Sequence, residues 1–175
     1  MIIKGNSVFL KLLNVDDVTS VYVDWLQDSE ITQFLESRWK SYTLDELKAY
    51  VRETNDGQNN YLFGIFQNES AEHIGNIKIG GINQIHRFGD LGILIGNKKM
   101  WGKGYATEAI NLATHYAFNE LNLNKLIAGM YIMNKGSYKA FIKAGYKEVG
   151  TLKRHSFCRG DYVDVTLVEK TKDSI

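Results

Sequence analysis

The stretch Trp101-Gly102-Lys103-Gly104-Tyr105-Ala106-Thr107-Glu108 decides the fold, because it joins a buried strand to a helix through two glycines. The strand is predicted over residues 91–95, which form a short apolar run. The helix is predicted to begin after Gly104, where small and apolar residues recur at helical spacing. Such a junction points several backbone N–H groups and the positive end of a helix dipole at one spot, so it suits a diphosphate.

Other glycine loops have requirements that this one does not meet. A P-loop carries Lys and then Ser or Thr directly after its last glycine, whereas Lys103 precedes Gly104. A dinucleotide-binding loop needs a third Gly or Ala and an acidic residue about 20 residues further on. Thr107 stands at that third position, and the next predicted strand ends at residues 131–134 without an acid. A glycine turn that binds no ligand stays open from the loop alone.

Hydrophobic periodicity predicts the order strand, two helices, three strands, helix, strand, helix and two strands. The first helix is expected to be capped by Asn14 and Asp16, and the second opens with the capping box Thr43-Leu44-Asp45-Glu46. The first helix is expected to present on one face the residues Val18, Val21, Tyr22, Trp25 and Leu26. The predicted strands are 8–12, 61–66, 73–79, 91–95, 125–131, 146–152 and 162–169, and the last helix is 134–144. This order indicates one α/β domain over residues 1–175, with a mixed sheet of six to seven strands and about four helices.

The composition excludes several classes of function. A formal net charge of +1 provides no overall field to attract nucleic acid or anionic lipid, so neither is expected as a partner. The single cysteine, Cys158, rules out an internal disulfide and a multi-cysteine metal site. The four histidines lack ligand spacing, so no metal is expected. No apolar run approaches the roughly 20 residues that span a bilayer, and a cytoplasmic location is expected.

Two motifs together indicate a family. The stretch Lys99-Met100-Trp101-Gly102-Lys103-Gly104 resembles the Q/R-x-x-G-x-G/A motif of the GCN5-related N-acetyltransferases (GNAT), with Lys99 in place of the usual Gln or Arg. Further on, Asn134-Lys135-Gly136-Ser137 and Phe141-Ile142-Lys143-Ala144-Gly145-Tyr146 resemble the second signature of the family, N-x-x-S/A-x-x-x-Y-x-K-x-G-F. The tail, residues 150–155 and 160–165, is similar to the branch with ribosomal-protein N-terminal, spermidine and amino-sugar acetyltransferases.

The resemblance implies the GNAT fold and acetyl-CoA as co-substrate. That fold is a mixed, mostly antiparallel twisted sheet with a V-shaped splay, here between the strands at 91–95 and 125–131. The pantetheine arm is expected beside Ile93, Leu94 and Ile95. The residues expected to hold the pyrophosphate and its surroundings are Lys99, Trp101, Gly102, Lys103, Gly104, Tyr105, Ala106 and Thr107. The far side of the cofactor is expected to meet Asn134, Ser137, Phe141 and Lys143.

Acetyl transfer to an amine needs a base for the amine proton and an acid for the departing thiolate. The usual acid of the family is a Tyr at the position that Phe141 occupies here, so Ser137 and Tyr138 are the candidates instead. Asp90 is the candidate base, because it precedes the strand expected to carry the acetyl group. Each candidate also fits a plain structural role: a helix-terminal hydroxyl, a packed aromatic ring and a turn residue.

The acceptor is expected between the first helices and the last hairpin, where the candidate residues are Trp25, Glu30, Arg38, His86 and His155. A small amine is expected, with an amino sugar, free or nucleotide-linked, favoured by the cationic and aromatic residues of these segments. A protein N-terminus and a polyamine are the alternative acceptors. A module that binds CoA without catalysis is a further alternative, which Phe141 favours. The resemblance is also compatible with a homodimer.

Overall fold

The computed structural model describes residues 1–174, in which eight strands form one sheet beside five α-helices. The strands run in the order β1-β2-β3-β4-β5-β6-β8-β7 across the sheet. The elements are β1 (Ile2–Lys4), β2 (Val8–Leu12), α1 (Ser20–Gln27), α2 (Ser29–Thr32), α3 (Leu44–Thr54), β3 (Tyr61–Gln67), β4 (His73–Asn83), β5 (Phe88–Ile95), α4 (Tyr105–Asn119), β6 (Lys125–Tyr131), α5 (Lys135–Lys143), β7 (Lys147–Cys158) and β8 (Asp161–Thr171). Short 3₁₀ turns cover Val15–Asp17, Glu36–Trp39, Lys98–Met100 and Lys172–Ser174.

The mixed α/β architecture is confirmed, and some predicted details are wrong. The sheet has eight strands rather than six to seven, because the three-residue β1 is too short to show a period-two pattern. Asn14 caps the 3₁₀ turn Val15–Asp17, and α1 begins only at Ser20. Val21 is therefore exposed instead of lying on the buried face of the helix. β7 extends to Cys158, well beyond the predicted end at residue 152.

The two glycine-flanked helices pack as their patterns predict. α4 buries Ala109, Ile110, Ala113 and Ala117 completely against the sheet. The side chain of Asn134 caps α5 by accepting from the Ser137 N–H at 3.1 Å. The capping box that opens α3 is also present, with Glu46 Oε2 accepting from the Thr43 N–H at 2.9 Å.

Successive side chains of β3 pack in two separate cores. Phe63 and Ile65 of β3 pack in the core that contains α4 and α5, whereas Leu62 packs in the core that contains α1 and α3. Because successive side chains of a strand point to opposite faces, these cores lie on opposite faces of the sheet. A third, small cluster around Tyr131, Cys158 and Val165 lies on the face of α1 and α3 and joins the end of β6 to the hairpin of β7 and β8.

Among the described residues, the longest helix, α4, has 15 residues, and no helix combines the length and apolar character needed to cross a membrane.

Candidate functional site

β5 and β6 separate in the middle of the sheet. They are the parallel pair, and their pairing covers only Phe88–Lys125, Gly89–Leu126 and Asp90–Ile127. Beyond this point, within residues 1–174, β5 pairs only with β4 and β6 pairs only with β8. The gap that opens is the splay expected between residues 91–95 and 125–131, and Asp90 stands at its vertex.

Two helix N-termini lie at the wide end of this splay. Because β5 and β6 are parallel, their carboxyl ends meet at the same edge of the sheet, and α4 and α5 each begin just after one of them. Gly104 is the N-cap residue of α4 and provides no side-chain cap. Among the described residues, no acceptor binds the N–H groups of Tyr105, Ala106 and Thr107. These free donors and the helix dipole favour an anion.

Both loop glycines leave the space for such a ligand. Gly102 has φ +76° and Gly104 has φ +89°, a conformation that favours glycine. A Cβ atom built on either residue meets no atom within 4 Å, so the backbone here faces open space. The splay, the glycines and the free N–H groups together fit the pantetheine and pyrophosphate of coenzyme A.

Among the other residues of the glycine loop, the two lysines are exposed, whereas Trp101 and Tyr105 form hydrogen bonds to the protein. Lys99 and Lys103 are exposed, and the Lys103 ammonium lies 3.9 Å from Met100 Sδ. The Trp101 indole N–H donates to the Ile95 carbonyl at 2.8 Å, which occupies one acceptor of the strand edge. The Gly96 N–H donates to the Ile74 carbonyl, so by the alternation of an antiparallel pair the backbone of Leu94 faces Asn76 of β4, whereas the N–H and C=O groups of Ile93 face the splay. The Tyr105 hydroxyl accepts from Gln67 Nε2 at 3.0 Å.

The predicted site residues of α5 differ in their position along the helix and in their burial. Ser137 is in the first turn, partly exposed, and follows the cap Asn134. Phe141 is only 2% exposed and packs edge to face on Tyr146 at 5.0 Å, so the structure places it in the core and not at a cofactor surface. Lys143 ends the helix, about 13 Å along the axis from Asn134.

The contacts of Tyr138 disfavour it as the acid. Its hydroxyl donates to Glu148 Oε2 on β7 at 2.9 Å. This hydrogen bond to a carboxylate raises the pKa of Tyr138, which makes its proton harder to release. Among the described hydroxyls at the start of α5, the Ser137 hydroxyl has no hydrogen bond to protein, which leaves it the better candidate.

The carboxyl of Asp90 has a raised proton affinity. Asp90 lies at the surface beside the bulge of β4, opposite Gly80. Partial burial raises the pKa of Asp90, and the nearby Lys78 ammonium offsets part of this rise. A raised pKa makes the carboxylate a stronger base than an ordinary aspartate.

Two adjoining cavities lie on the acceptor side, between the segment of residues 26–41 and the β7–β8 hairpin. Their volumes are about 680 and 540 Å³, and Arg38 and Trp39 line both. Glu30 lines the first cavity and His155 the second. The structure thus brings the predicted acceptor segments together.

Arg38 is already engaged by the protein. Its guanidinium donates to the Leu35 carbonyl at 2.6 Å, the Phe157 carbonyl at 2.7 Å and the Tyr131 hydroxyl at 2.9 Å. Binding of an acceptor by Arg38, which the sequence suggested, would compete with these bonds. Arg38 instead joins the 3₁₀ turn Glu36–Trp39 to β6 and β7.

Trp25 and His86 lie apart from the cavities. Trp25 is 6% exposed, and its ring fills the space that a Cβ on Gly96 would need, with 2.0 Å between them. It therefore packs α1 against the end of β5 and presents no open face to an acceptor. His86 lies in the exposed β4–β5 turn, where its ring stacks on Phe88 at 6.5 Å. That turn is at the paired end of β5 and β6, opposite the opening of the splay.

Two residues that contribute to the acceptor cavities or to their walls were not among the predicted site residues. Tyr131 ends β6 and donates its hydroxyl to Glu36 Oε1 at 2.7 Å inside the second cavity. Lys98 forms ion pairs with Asp28 at 2.8 Å and Glu30 at 2.9 Å, which link α2 to the turn before the glycine loop. Both contacts join segments far apart in the chain, and no local pattern signals them. Residues 1–174 contain no cluster of His, Cys, Asp or Glu placed to hold a metal ion.

Comparison with known proteins tests the resemblance. The family model described as "Acetyltransferase (GNAT) domain" matches residues 7–147. The chain is 27% identical over 168 residues to an uncharacterized N-acetyltransferase, p20, of Bacillus licheniformis, with 93% of this chain and 92% of that one covered. The family match over residues 7–147 spans the splay, the glycine loop and α5.

Solved structures agree in fold. A spermidine N-acetyltransferase from Vibrio cholerae, in complex with CoA and spermine, is similar with a TM-score of 0.85 and 24% identity, over 97% of this chain and 98% of that one. RimL, a ribosomal L7/L12 alpha-N-protein acetyltransferase in complex with coenzyme A, has a TM-score of 0.88 and 17% identity, over 100% of both chains. At these identities the likeness shows the fold alone. With the family model matched over most of its length, the chain belongs to the GNAT acetyltransferases and is an N-acetyltransferase.

Proposed function

We propose that this chain transfers the acetyl group of acetyl-CoA directly to a primary amine held near Asp90. The observation that carries the proposal is the splay, which begins at Asp90 and opens toward the glycine loop. A pyrophosphate on the first-turn N–H groups of α4 would send its pantetheine arm along β5. That strand leads back to Asp90 over five residues, or about 17 Å.

The reaction needs few groups from the protein. The amine nitrogen attacks the thioester carbonyl carbon, a C–N bond forms, and the C–S bond then breaks. Asp90 accepts the proton that the amine loses, and its raised pKa suits this task. The Ser137 hydroxyl relays a proton from water to the departing thiolate, and Asp90 then releases the amine proton to solvent, so both side chains return to their starting state. Phe141 cannot take this role, because it has no hydroxyl and lies in the core. Close positioning of two substrates supplies much of the remaining rate enhancement.

The acceptor class is a finer part of the proposal. A nucleotide-linked amino sugar was favoured by cationic side chains, yet Arg38 binds protein oxygens, and Lys153 forms an ion pair with Asp164 at 2.9 Å. These pairs weaken the case for a phosphate site. The likeness to proteins described as spermidine and ribosomal-protein acetyltransferases supports polyamines and protein N-termini as alternatives. An amino sugar, a polyamine and a peptide N-terminus are therefore the three acceptors to compare.

The test is release of free thiol from acetyl-CoA with glucosamine, spermidine and a short peptide as acceptors. We expect turnover with at least one amine. For that amine, Asp90→Asn should lower kcat about 100-fold or more while the Kd for CoA changes little, since Asp90 acts on the proton and not on the cofactor.

A matched control is Asp45→Asn, which neutralises an exposed carboxylate in the first turn of α3. This variant should keep wild-type kcat. Full activity of Asp90→Asn would remove Asp90 as the base. Tight CoA binding without turnover of any amine would instead point to the non-catalytic alternative.

A further inference from the structure

Three aromatic side chains form an exposed surface beside the acceptor cavities. Trp39 is 60% exposed, Phe157 46% and Tyr162 52%. The Trp39 and Phe157 rings stack at 6.4 Å between centroids, and Phe157 meets Tyr162 edge to face at 5.5 Å. These three residues are termed the aromatic platform. A contiguous apolar surface of this kind, bordered by polar side chains, marks a site of interaction.

The platform is held in place from below by Arg38. The Arg38 side chain is directed inward and is only 13% exposed, fixed by its bonds to Leu35, Tyr131 and Phe157. Its guanidinium lies 4.4 Å from the centroid of the Trp39 ring. Trp39, the next residue of the same 3₁₀ turn, is exposed. A surface fixed in this way loses little freedom when a ligand binds.

The platform continues into the second acceptor cavity. Trp39 and Phe157 line that cavity together with Tyr131, the last residue of β6. The Arg38 guanidinium lies between the rings of Trp39 and Tyr131, 4.4 and 5.2 Å from their centroids. The pairing of β6 with β5 ends at Ile127, so four residues, or about 13 Å of strand, separate the vertex of the splay from Tyr131.

We propose that the aromatic platform binds the far end of the acceptor, a flat ring joined to the primary amine by an extended spacer. The inference rests on the proposed function, which places the amine near Asp90. The distance along β6 requires an elongated acceptor, and the exposed parts of the Trp39 and Phe157 rings suit a planar group. An aromatic residue near a peptide N-terminus and the base of a nucleotide-linked amino sugar share this chemistry.

Matched acceptor pairs test the ring and distinguish its two sources. The peptide pair is triglycyl-phenylalanine and triglycyl-alanine. The sugar pair is a uridine-diphosphate-linked amino sugar and the same amino sugar 1-phosphate. We expect the ring-bearing member of one pair to have a KM about 3- to 10-fold below that of its ringless partner. Calorimetry with CoA present measures the same preference as a Kd, independently of turnover.

Variants assign the preference to the platform. Trp39→Ala should raise the KM and Kd of the ring-bearing acceptor about 3- to 10-fold and change those of the ringless partner less than about 2-fold. Trp39→Phe keeps a ring and should restore most of the preference. Tyr50→Ala is the matched control, because it removes an exposed aromatic ring from α3, away from the cavities.

Several results would overturn the proposal. Equal KM and Kd within both pairs would do so, and so would an equal effect of Trp39→Ala on ring-bearing and ringless acceptors. Loss of a dimer in sedimentation on Trp39→Ala would assign the platform to a second copy of the chain. Ring-dependent binding without turnover of any amine, spermidine included, would leave the platform standing and refute the proposed function instead.

Discussion

At the scale of single residues, Gly104 is the position where the backbone conformation and the ligand space coincide. It has φ +89°, and a Cβ atom there would enter open space at the start of α4. We expect Gly104→Val to raise the Kd for CoA at least about 100-fold, because the side chain fills the space that the pyrophosphate needs and strains the loop. Calorimetry measures this Kd.

Gly57 provides the control for Gly104. It has φ +70°, and a Cβ there also meets nothing within 4 Å, but it lies between α3 and β3. Gly57→Val should lower the free energy of unfolding by about 1–3 kcal/mol, because a non-glycine residue is strained in this backbone conformation. It should leave the affinity for CoA unchanged. An unchanged CoA affinity in Gly104→Val would contradict the assignment of the glycine loop.

At the scale of elements, α4 is tied to β2 by one carboxylate in its first turn. Glu108 Oε1 accepts from the Ser7 N–H at 2.9 Å and lies 3.5 Å from the Val8 N–H. An acidic side chain in this turn also interacts well with the helix dipole. We expect Glu108→Ala to lower the free energy of unfolding by about 1–3 kcal/mol, because the N–H of Ser7 loses its partner.

Urea denaturation of Glu108→Ala and Glu120→Ala checks this role. Glu120 is exposed at the opposite end of α4, so its replacement should cost less than about 0.5 kcal/mol. Equal unfolding free energies for the two variants would show that the link between α4 and β2 contributes nothing.

At the scale of the whole molecule, His73 makes stability depend on pH. It lies under α1, against the rings of Phe66 and Trp25 at 4.7 and 4.9 Å, with its Nε2 2.8 Å from Asn76 Oδ1. Burial lowers the pKa of His73 in the folded protein, so the unfolded chain binds a proton first. The free energy of unfolding should therefore fall as pH drops below about 6.5, the ordinary value for histidine.

Unfolding measured between pH 7.5 and 5 in wild type and His73→Leu tests this dependence. The variant should lose much of the slope, although its stability at pH 7.5 also changes because Asn76 loses a partner. His115→Leu, which removes an exposed histidine of α4, should keep the wild-type slope. A slope in His73→Leu equal to that of wild type would exclude the buried histidine as its source.

The sequence by itself determined the parts of this protein that depend on neighbouring residues. The strand before the glycine loop, the helix after Gly104, the capping box at Thr43 and the cap at Asn134 all follow from short patterns, because hydrophobic periodicity and capping act over a few residues. The spacing of the glycine loop and Asn134 also sufficed to indicate the family.

Only the tertiary structure decided which of the candidate site residues bind other parts of the protein and which face the site. The sequence left Arg38 open as an acceptor residue, whereas its guanidinium donates to Tyr131 and Phe157, about 90 and 120 residues away. It left Trp25 open as an acceptor residue, whereas the ring packs on Gly96. The register of β5 and β6 places Asp90 at the vertex of the splay. Such contacts depend on which strands pair and where their pairing ends, and those choices are made by the packing of the whole sheet rather than by any short stretch of chain.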